Sequence, residues 1–355
     1  MAEKVLMKGN EALAEAAISA GCRHFFGYPI TPQTELAAYM AKTMPKVGGV
    51  YLQAESEVAA INMVLGAAST GKRVMTSSSS PGISLKSEGI SYMAGSDLPA
   101  LIVNVQRGGP GLGGIQPGQA DYAQATRGVG HGDARILVFS PATVQEMVDL
   151  VTTAFELGDK YRIPAMILAD GMLGQMMEPV ILPEKQDPAS LPKKDWAAAG
   201  HEGKRKKNII NSLYLDPYLL EKTIVERQSR YKAIKAAHQM SEEVYTEDAD
   251  IIVVAYGASA RVSRSAVVQA RAEGIKAGLL RPVTVWPYPD DAVKKLADSA
   301  KAFLAVEMSA GQMVDDVRLA VNGKRPVKFF GRTGGVIPTP NEVLEQIRAL
   351  AKEVQ

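Results

Sequence analysis

Apolar and polar residues alternate along the chain in blocks that predict two α/β regions. Up to about Val180, short apolar runs of strand length are separated by longer stretches with helical spacing. This order is typical of a largely parallel sheet flanked by helices. The predicted strands are His24 to Phe26, Gly49 to Leu52, Arg73 to Met75, Ala100 to Val105, Ile136 to Phe139 and Ala165 to Leu168. The loops that follow such strands collect on one edge of the sheet, where α/β proteins bind ligands.

The alternation stops in a charged stretch and then resumes. Residues 184–248 are weakly patterned apart from a helix predicted around Leu219 to His238, whereas residues 249–355 again alternate strand and helix. We therefore predict a first domain at 1–183, a charged connector at 184–248 and a smaller α/β domain at 249–355. Helices of the last domain are predicted at Ala260 to Glu273, near Asp291 to Asp298, near Gly311 to Val321 and from Pro340.

Local signals predict where several helices begin and end. Asn10 can cap the first helix and Gly21 can end it, while Thr31 can cap the second, with Pro32 at its first position. The helix that begins near Glu57 is apolar nearly all round, which predicts that it is buried.

Composition narrows the class of protein. With 355 residues, 46% of them hydrophobic, and a net charge of +2, the chain can form about two globular domains. No apolar run approaches the roughly 18 residues that span a bilayer, and the amino terminus is polar, so we expect a cytoplasmic protein without membrane segments. The basic cluster at 204–207 indicates a solvated loop rather than a nucleic-acid site, because the chain is near neutral.

Cysteine and histidine are too few for most metal chemistry. Cys22 is the single cysteine, which excludes an internal disulfide and a self-contained iron–sulfur cluster. The four histidines form no metal-ligand pair at helical spacing, so we expect no metal site in this chain. Any redox centres would belong to partner chains.

Three residues could carry chemistry. Glu57 could merely favour the dipole of its helix, or it could face a ligand in a dry crevice and act as an acid or base. Thr31 could act as a cap only, or also donate to a bound oxygen. Arg107 ends the strongest predicted strand before a glycine-rich loop, and it could form a surface salt bridge or grip a carboxylate through two hydrogen bonds.

The glycine-rich loop also allows a different interpretation. Gly109, Gly111 and Gly114 match the spacing of a dinucleotide-binding loop, which would suggest a nicotinamide-dependent dehydrogenase. Pro110 and Pro117 interrupt the pattern, however, and no apolar helix opens on the last glycine. This interpretation is therefore disfavoured.

Five segments resemble one enzyme family: GYPITPQTE, QAESEVAAINMVLGAASTGKR, TSSSSPGISLKSEGISYMAGSDLP, VNVQRGGPGLGG and GHGD. Together they resemble the alpha subunit of the 2-oxoacid:ferredoxin oxidoreductases, over essentially the whole chain. The resemblance is closest to the branched-chain type that acts on 2-oxoisovalerate (3-methyl-2-oxobutanoate), and the 2-oxoglutarate type shares most segments. It implies a pyrimidine-type thiamine diphosphate-binding domain with a parallel sheet, followed by an α/β domain like the transketolase carboxy-terminal domain.

The resemblance also implies roles for the first loop and helix. Glu57 matches the glutamate that hydrogen-bonds the pyrimidine ring nitrogen of thiamine diphosphate, where a shared proton activates the cofactor. Tyr28, Pro29 and Ile30 are expected to lie at the cofactor.

Substrate contacts follow from the same resemblance. Thr31 matches the threonine that approaches the keto or carboxylate oxygens, and Arg107 matches the arginine that binds the carboxylate. His131 and Asp133, in the GHGD segment, either touch a ligand or only shape a turn.

The complete reaction needs other chains. The family forms acyl-CoA, carbon dioxide and reduced ferredoxin from a 2-oxoacid and coenzyme A in anaerobic metabolism. The motif that holds magnesium and the cofactor diphosphate is absent here, so we expect it on a beta subunit, with iron–sulfur clusters on partner chains that include gamma and ferredoxin-like delta subunits. The chain would be inactive alone. A noncatalytic scaffold subunit is the alternative, which retention of Glu57, Thr31 and Arg107 disfavours.

Overall fold

Strands and helices alternate along the computed structural model, which describes residues 4–354. The strands are β1 Val5–Lys8, β2 His24–Gly27, β3 Val50–Gln53, β4 Val74–Ser78, β5 Leu101–Gln106, β6 Leu137–Phe139, β7 Ala165–Asp170, β8 Met177–Val180, β9 Ser241–Val244, β10 Ile251–Ala255, β11 Ala277–Pro282, β12 Thr284–Trp286, β13 Ala302–Glu307 and β14 Val327–Gly331. The helices are α1 Gly9–Ser19, α2 Thr34–Thr43, α3 Glu57–Ser69, α4 Ser80–Gly95, α5 Val144–Tyr161, α6 Gly171–Gln175, α7 Pro217–Ala237, α8 Gly257–Ala272, α9 Asp290–Ser299, α10 Met313–Val321 and α11 Pro340–Glu353. All six strands predicted for the first region are present.

The larger sheet has seven strands in the order β12-β6-β7-β5-β4-β2-β3. Its neighbours are parallel except β12, which pairs antiparallel with β6. The predicted, largely parallel sheet is therefore confirmed. Because β2, β3, β4, β5 and β7 run in the same direction, the residues that follow them lie along one edge.

A second sheet is formed from the later part of the chain, in the order β14-β13-β10-β11-β9. It is parallel except for β9, which comes from the predicted connector and pairs antiparallel with β11. The connector helix, α7, and the four helices predicted after it are all present. A third, two-stranded sheet pairs β1 with β8. The sequence patterns did not predict β1, β8, β9 or β12.

The two α/β regions share a sheet and a hydrophobic cluster. Although β12 belongs to the later region by sequence, it extends the first sheet, with Thr284 opposite Phe139. The rings of Tyr122 and Tyr256, one from each region, lie 5.5 Å apart between centroids within a common hydrophobic cluster. The side chain of Gln119 donates to the carbonyl oxygen of Tyr256 at 2.8 Å. The later region is thus fixed firmly against the first.

One end of α1 is as predicted and the other is not. Gly21 follows the helix with a φ of 79°, and its N–H donates to the carbonyl of Ile18 at 3.0 Å, which confirms it as the helix end. Asn10 lies inside the helix, whose N-cap is Lys8, so the capping prediction was wrong. The Asn10 amide instead donates to the carbonyl of Pro32 at 2.9 Å and ties α1 to the loop after β2.

The cap predicted for Thr31 was also wrong. Helix α2 begins only at Thr34, and its N-cap is Gln33. The N–H of Gln33 donates to the carbonyl of Ile30 at 3.2 Å, so residues 30–33 form a turn before the helix. The Thr31 hydroxyl therefore caps no amide of α2.

Helix α3 is buried on one face only, against the prediction that it is buried all round. Ile61 and Val64 are buried, but Val58, Asn62 and Gly66 are exposed at four-residue spacing. An apolar helix with one uncovered face has the pattern of an interface rather than of a core helix.

Across the described part of the chain, none of the helices has both the length and the apolar character needed to cross a membrane.

Candidate active site

A nearly buried carboxylate lies at the start of α3. The hydroxyl oxygen of Ser56 accepts the N–H of Ala59 at 3.2 Å and so caps the helix one residue before Glu57. Glu57 is only 6% exposed. Its carboxylate accepts no side-chain or backbone hydrogen bond from residues 4–354 and forms no ion pair with them. Buried carboxylates normally have partners, so this group is placed to meet a donor from outside the chain.

The first turn of α4 shapes the space beside that carboxylate. A Cβ built at Gly82 would lie 2.1 Å from Oγ of Ser78 and 2.7 Å from Oε1 of Glu57. The close approach therefore requires glycine. The hydroxyls of Ser78 and Ser79 are buried and have no hydrogen-bond partner within the described residues. An uncommitted hydroxyl, that of Ser78, thus lies beside Gly82 together with Glu57.

Arg107 joins two loops at the same edge of the sheet. Its guanidinium donates to the carbonyl of Thr31 through Nη1 and to that of Leu112 through Nη2, both at 3.0 Å. The residue is 7% exposed, and its Nε is buried without a partner. The surface salt bridge considered above is not formed. The structure brings Arg107 and Thr31 together, although through the Thr31 backbone.

A hydrogen-bond network fixes Arg107 to the start of α4. The Ser80 hydroxyl accepts the Arg107 N–H at 3.1 Å and donates to Asp121 Oδ2 at 2.6 Å. The Asn104 amide donates to the same oxygen at 2.9 Å. Burial raises the pKa of Asp121, while the bonds from Ser80 and Asn104 act to lower it. Because Ser80 contacts Arg107 and Gly82 contacts Glu57, one helical turn connects both candidate residues.

A second charged group lies behind Glu57. Lys86 is fully buried one turn after Gly82, and its ammonium donates to Oγ1 of Thr76 at 3.0 Å. Burial lowers the pKa of Lys86 to about 8, although the charge of Glu57 acts to raise it. Sequence reasoning missed this residue. Its position in a helix between two strands of an α/β pattern, four residues after Gly82, was the available signal.

Comparison with known proteins identifies the family. Residues 15–256 match the profile described as pyruvate flavodoxin/ferredoxin oxidoreductase, thiamine diphosphate-binding, and residues 249–343 match pyruvate:ferredoxin oxidoreductase core domain II. The chain belongs to the 2-oxoacid:ferredoxin oxidoreductase family. The resemblance seen in the sequence is confirmed, and so is the predicted fold class.

Several relatives of this oxidoreductase chain align over its length. It is 50% identical to ketoisovalerate oxidoreductase subunit VorB of Methanothermobacter thermautotrophicus, over 98% of this chain and 97% of the relative. It is 37% identical to 2-oxoglutarate synthase subunit KorA of Methanothermobacter marburgensis, over 99% of this chain and 100% of the relative. The structure of 2-oxoglutarate:ferredoxin oxidoreductase from Magnetococcus marinus matches all of this chain with a TM-score of 0.89 and 28% identity, and the chain spans 66% of that structure's chain. The structure of a split-gene transketolase aligns with a TM-score of 0.61 over 100% of this chain and 100% of the transketolase chain. Because the two sequences are only 15% identical, this match supports the fold alone.

The residues around Glu57 fit the pyrimidine end of the thiamine diphosphate that the family profile names. A ring nitrogen that carries a proton needs an acceptor, and the Glu57 carboxylate is an acceptor without a partner in the described chain. The absence of a side chain at Gly82 leaves room for this carboxylate beside the Ser78 hydroxyl, which has no partner within the described residues. The predicted role of Glu57 is therefore compatible with the local geometry.

The other predicted site residues differ in their exposure and in their contacts. Tyr28 and Pro29 are exposed and Ile30 is partly exposed, on the loop after β2. Their cofactor contacts stay predictions. The backbone N–H of His131 donates to Oγ of Ser91 on α4 at 3.2 Å, and the His131 ring packs edge-on against Tyr92.

The backbone of Asp133 is held by the connector helix. Its carbonyl accepts the side chain of Gln228 on α7 at 3.0 Å. The contacts of this segment are thus those of a turn tied to neighbouring helices.

Proposed function

We propose that this chain supplies the pyrimidine-binding half of the thiamine diphosphate site in a multi-subunit 2-oxoacid:ferredoxin oxidoreductase whose substrate is 2-oxoisovalerate. The observation that carries the proposal is the buried, unpartnered carboxylate of Glu57 beside the glycine that makes room for it. The substrate assignment is supported by the 50% identity to a ketoisovalerate oxidoreductase subunit, against 37% for a 2-oxoglutarate synthase subunit. The domain limits 1–183, 184–248 and 249–355 are part of this proposal.

Glu57 holds and shares a proton in this proposal. Thiamine diphosphate, when bound, supplies the carbon nucleophile that attacks the keto group of the substrate. The Ser56 cap fixes the start of α3 and with it the backbone of Glu57, whose carboxylate would accept the proton. Tyr28, Pro29 and Ile30 would line the cofactor from the neighbouring loop.

Arg107 and Thr31 position the substrate. Two of the Arg107 nitrogens are committed to backbone carbonyls, which orients the guanidinium, and the buried Nε remains free for a carboxylate oxygen. Thr31 is exposed and its hydroxyl caps no helix, so the hydroxyl can donate to a keto or carboxylate oxygen. The alternative substrate, 2-oxoglutarate, is kept because relatives named for it align over the whole chain.

An exposed apolar face next to Glu57 supports assembly with a partner. Val58 on α3 is 45% exposed and Leu85 on the adjacent α4 is 54% exposed, with Tyr92 further along α4. We define Val58, Leu85 and Tyr92 as the α3/α4 face. An apolar patch beside a polar site is typical of a subunit interface. A beta subunit that carries the cofactor diphosphate and magnesium would cover this face and complete the site.

Electron transfer would take place on other chains. One cysteine is too few for an iron–sulfur cluster, so the clusters and the route to ferredoxin would lie on gamma, delta or beta subunits. Coenzyme A would act as co-substrate, and the chain alone would be inactive. A noncatalytic scaffold would have no need of an unpartnered buried carboxylate, which costs stability.

The proposal is tested with the complex purified anaerobically and assayed with coenzyme A and a viologen dye. We expect dye reduction with 2-oxoisovalerate to exceed that with 2-oxoglutarate. Glu57→Gln should lower turnover on the order of a hundredfold or more, because acid–base assistance is lost. Glu55→Gln, two residues earlier and exposed, is the matched control. Turnover of Glu57→Gln within about twofold of the parent would refute the role of Glu57.

A further inference from the structure

Lys86 is a buried charge with few partners. Its side chain is among the largest that are fully buried in the described chain. Of the three N–H donors of its ammonium, one bonds Oγ1 of Thr76, and the other two have no acceptor among residues 4–354. Packing alone does not explain such a residue, since methionine or leucine would fill the volume without burying a charge.

The geometry of α4 places Lys86 against α3. Gly82 and Gly89 both lie against α3, because a Cβ at Gly82 would clash with Glu57 and one at Gly89 would lie 2.5 Å from Cγ2 of Ile61. Lys86 is four residues after Gly82 and three before Gly89, hence on the same face of α4. The two glycines let the helices approach closely and bring the ammonium towards the carboxylate at the start of α3.

Glu57 is the one ionisable group among the described residues whose charge acts on Lys86. The hydrogen-bond partner of Lys86 on β4 is the neutral hydroxyl of Thr76. Glu57 in turn has no cationic partner within salt-bridge distance among residues 4–354. Opposite charges attract over longer distances when water is largely excluded from both.

We propose that Lys86 is a positioning residue whose buried ammonium is the counter-charge of Glu57 and holds that carboxylate in its catalytic orientation. The inference rests on the proposed function, which makes Glu57 the catalytic residue. Within residues 4–354, Lys86 forms no hydrogen bond or ion pair with Glu57, so its influence on that carboxylate is electrostatic. Its effect on turnover would therefore be carried by the carboxylate.

The pairing can be tested on the full chain without cofactor, through the pH dependence of thermal unfolding. The ordinary pKa of lysine, 10.5, is lowered to about 8 in the folded chain, so Lys86 loses its proton at a lower pH when folded than when unfolded. Lys86 therefore makes stability rise with pH between about 8 and 10.5. Comparison of the parent with Lys86→Met isolates this contribution.

Glu57 should set where that rise begins. Glu57→Gln removes the charge that favours the protonated ammonium, so the pKa of Lys86 should fall further. The stability difference between Glu57→Gln and Glu57→Gln/Lys86→Met should therefore begin to rise about one pH unit lower than the stability difference between the parent and Lys86→Met. Glu55→Gln should leave the onset where it is, because that glutamate is exposed. An unchanged onset in Glu57→Gln would overturn the pairing. If Lys86→Met does not fold, Lys86→Gln takes its place in the cycle.

The catalytic consequence is measured in the complex. We expect Lys86→Met to lower kcat about tenfold with little change in KM, and Lys295→Met, an exposed lysine on α9, to leave both unchanged. Normal turnover of Lys86→Met, alongside a strongly impaired Glu57→Gln, would overturn the inference while the proposed function stands. A normal Glu57→Gln, alongside a shifted onset, would refute the proposed function while the charge pairing stands.

Discussion

Gly82 leaves the space that the Glu57 carboxylate occupies, since a Cβ at position 82 would lie 2.7 Å from Oε1 of Glu57. The helix that supplies this glycine also supplies Lys86, one turn later. Two features of α4, a missing side chain and a buried charge, therefore act on the same carboxylate.

Gly82→Ala should displace Glu57 while the fold is kept. A shift of about 1 Å in a catalytic group can reduce turnover on the order of a hundredfold, and we expect a loss of that order in the assembled enzyme. Steady-state assays measure the turnover, and calorimetric titration with thiamine diphosphate measures cofactor binding. Gly128→Ala is the control, because a Cβ at this exposed position makes only an ordinary contact of 3.8 Å. Equal activity of the two variants would contradict the tight approach.

Arg107→Lys should weaken substrate binding although the charge is kept. A lysine cannot reach the carbonyls of Thr31 and Leu112 together and also present a planar donor to a carboxylate. We expect KM for the 2-oxoacid to rise about tenfold or more. Arg318→Lys changes an exposed arginine in an i,i+3 pair and should have no effect. An unchanged KM in Arg107→Lys would show that the guanidinium only ties the loops together.

A charge on the α3/α4 face should prevent assembly. We expect Leu85→Asp to weaken binding of the partner subunit on the order of thirtyfold or more, equivalent to about 2 kcal/mol, because an interface core excludes unpaired charge. Co-purification and analytical ultracentrifugation report the assembly. The matched control is Leu319→Asp, because Leu319 on α10 is 72% exposed and lies outside this face. This change should leave assembly unaffected. If both variants assemble normally, the partner binds elsewhere.

Asp170 should make stability depend on pH in the acidic range. Burial raises the pKa of this helix-capping carboxyl from 3.8 to about 6, so the folded chain binds a proton at a pH where the unfolded chain has lost it. The contribution of Asp170 to stability therefore falls as pH rises from about 4 to 6.

Asp170→Asn removes that titration. The difference in unfolding free energy between Asp170→Asn and the parent should move in favour of asparagine as pH rises across the same range, as measured by denaturant unfolding at several pH values. Asp187→Asn, which alters an exposed carboxylate that caps a short helical turn, is the control. A constant difference across pH would contradict the raised pKa.

The sequence patterns predicted the sheet well because its strands are short apolar runs that need burial. They failed where the partner of a segment is distant in sequence, as for β12, a three-residue strand flanked by Pro282 and Pro287. They also failed at Thr31, because a local capping preference gave way to the turn at residues 30–33.

The identity of a residue does not by itself predict whether it is buried or what it contacts, and this limited the prediction of the site. Glu57, Thr31 and Arg107 could be assigned because they belong to family segments. Lys86 could not, since lysine is among the residues least often buried, and its role depends on the approach of α3 to α4. Likewise, apolar periodicity cannot distinguish a face that packs in the core from one such as that of Val58, which another chain would cover.

The strand β12 has a consequence for synthesis of the protein. The first sheet is not complete until residues 284–286 have left the ribosome and paired with β6, which comes almost 150 residues earlier. During that interval β6 presents an open edge, the kind of surface through which nascent chains join each other. A chain cut after the first region would keep that open edge permanently. The first region therefore depends on the later region for protection against aggregation.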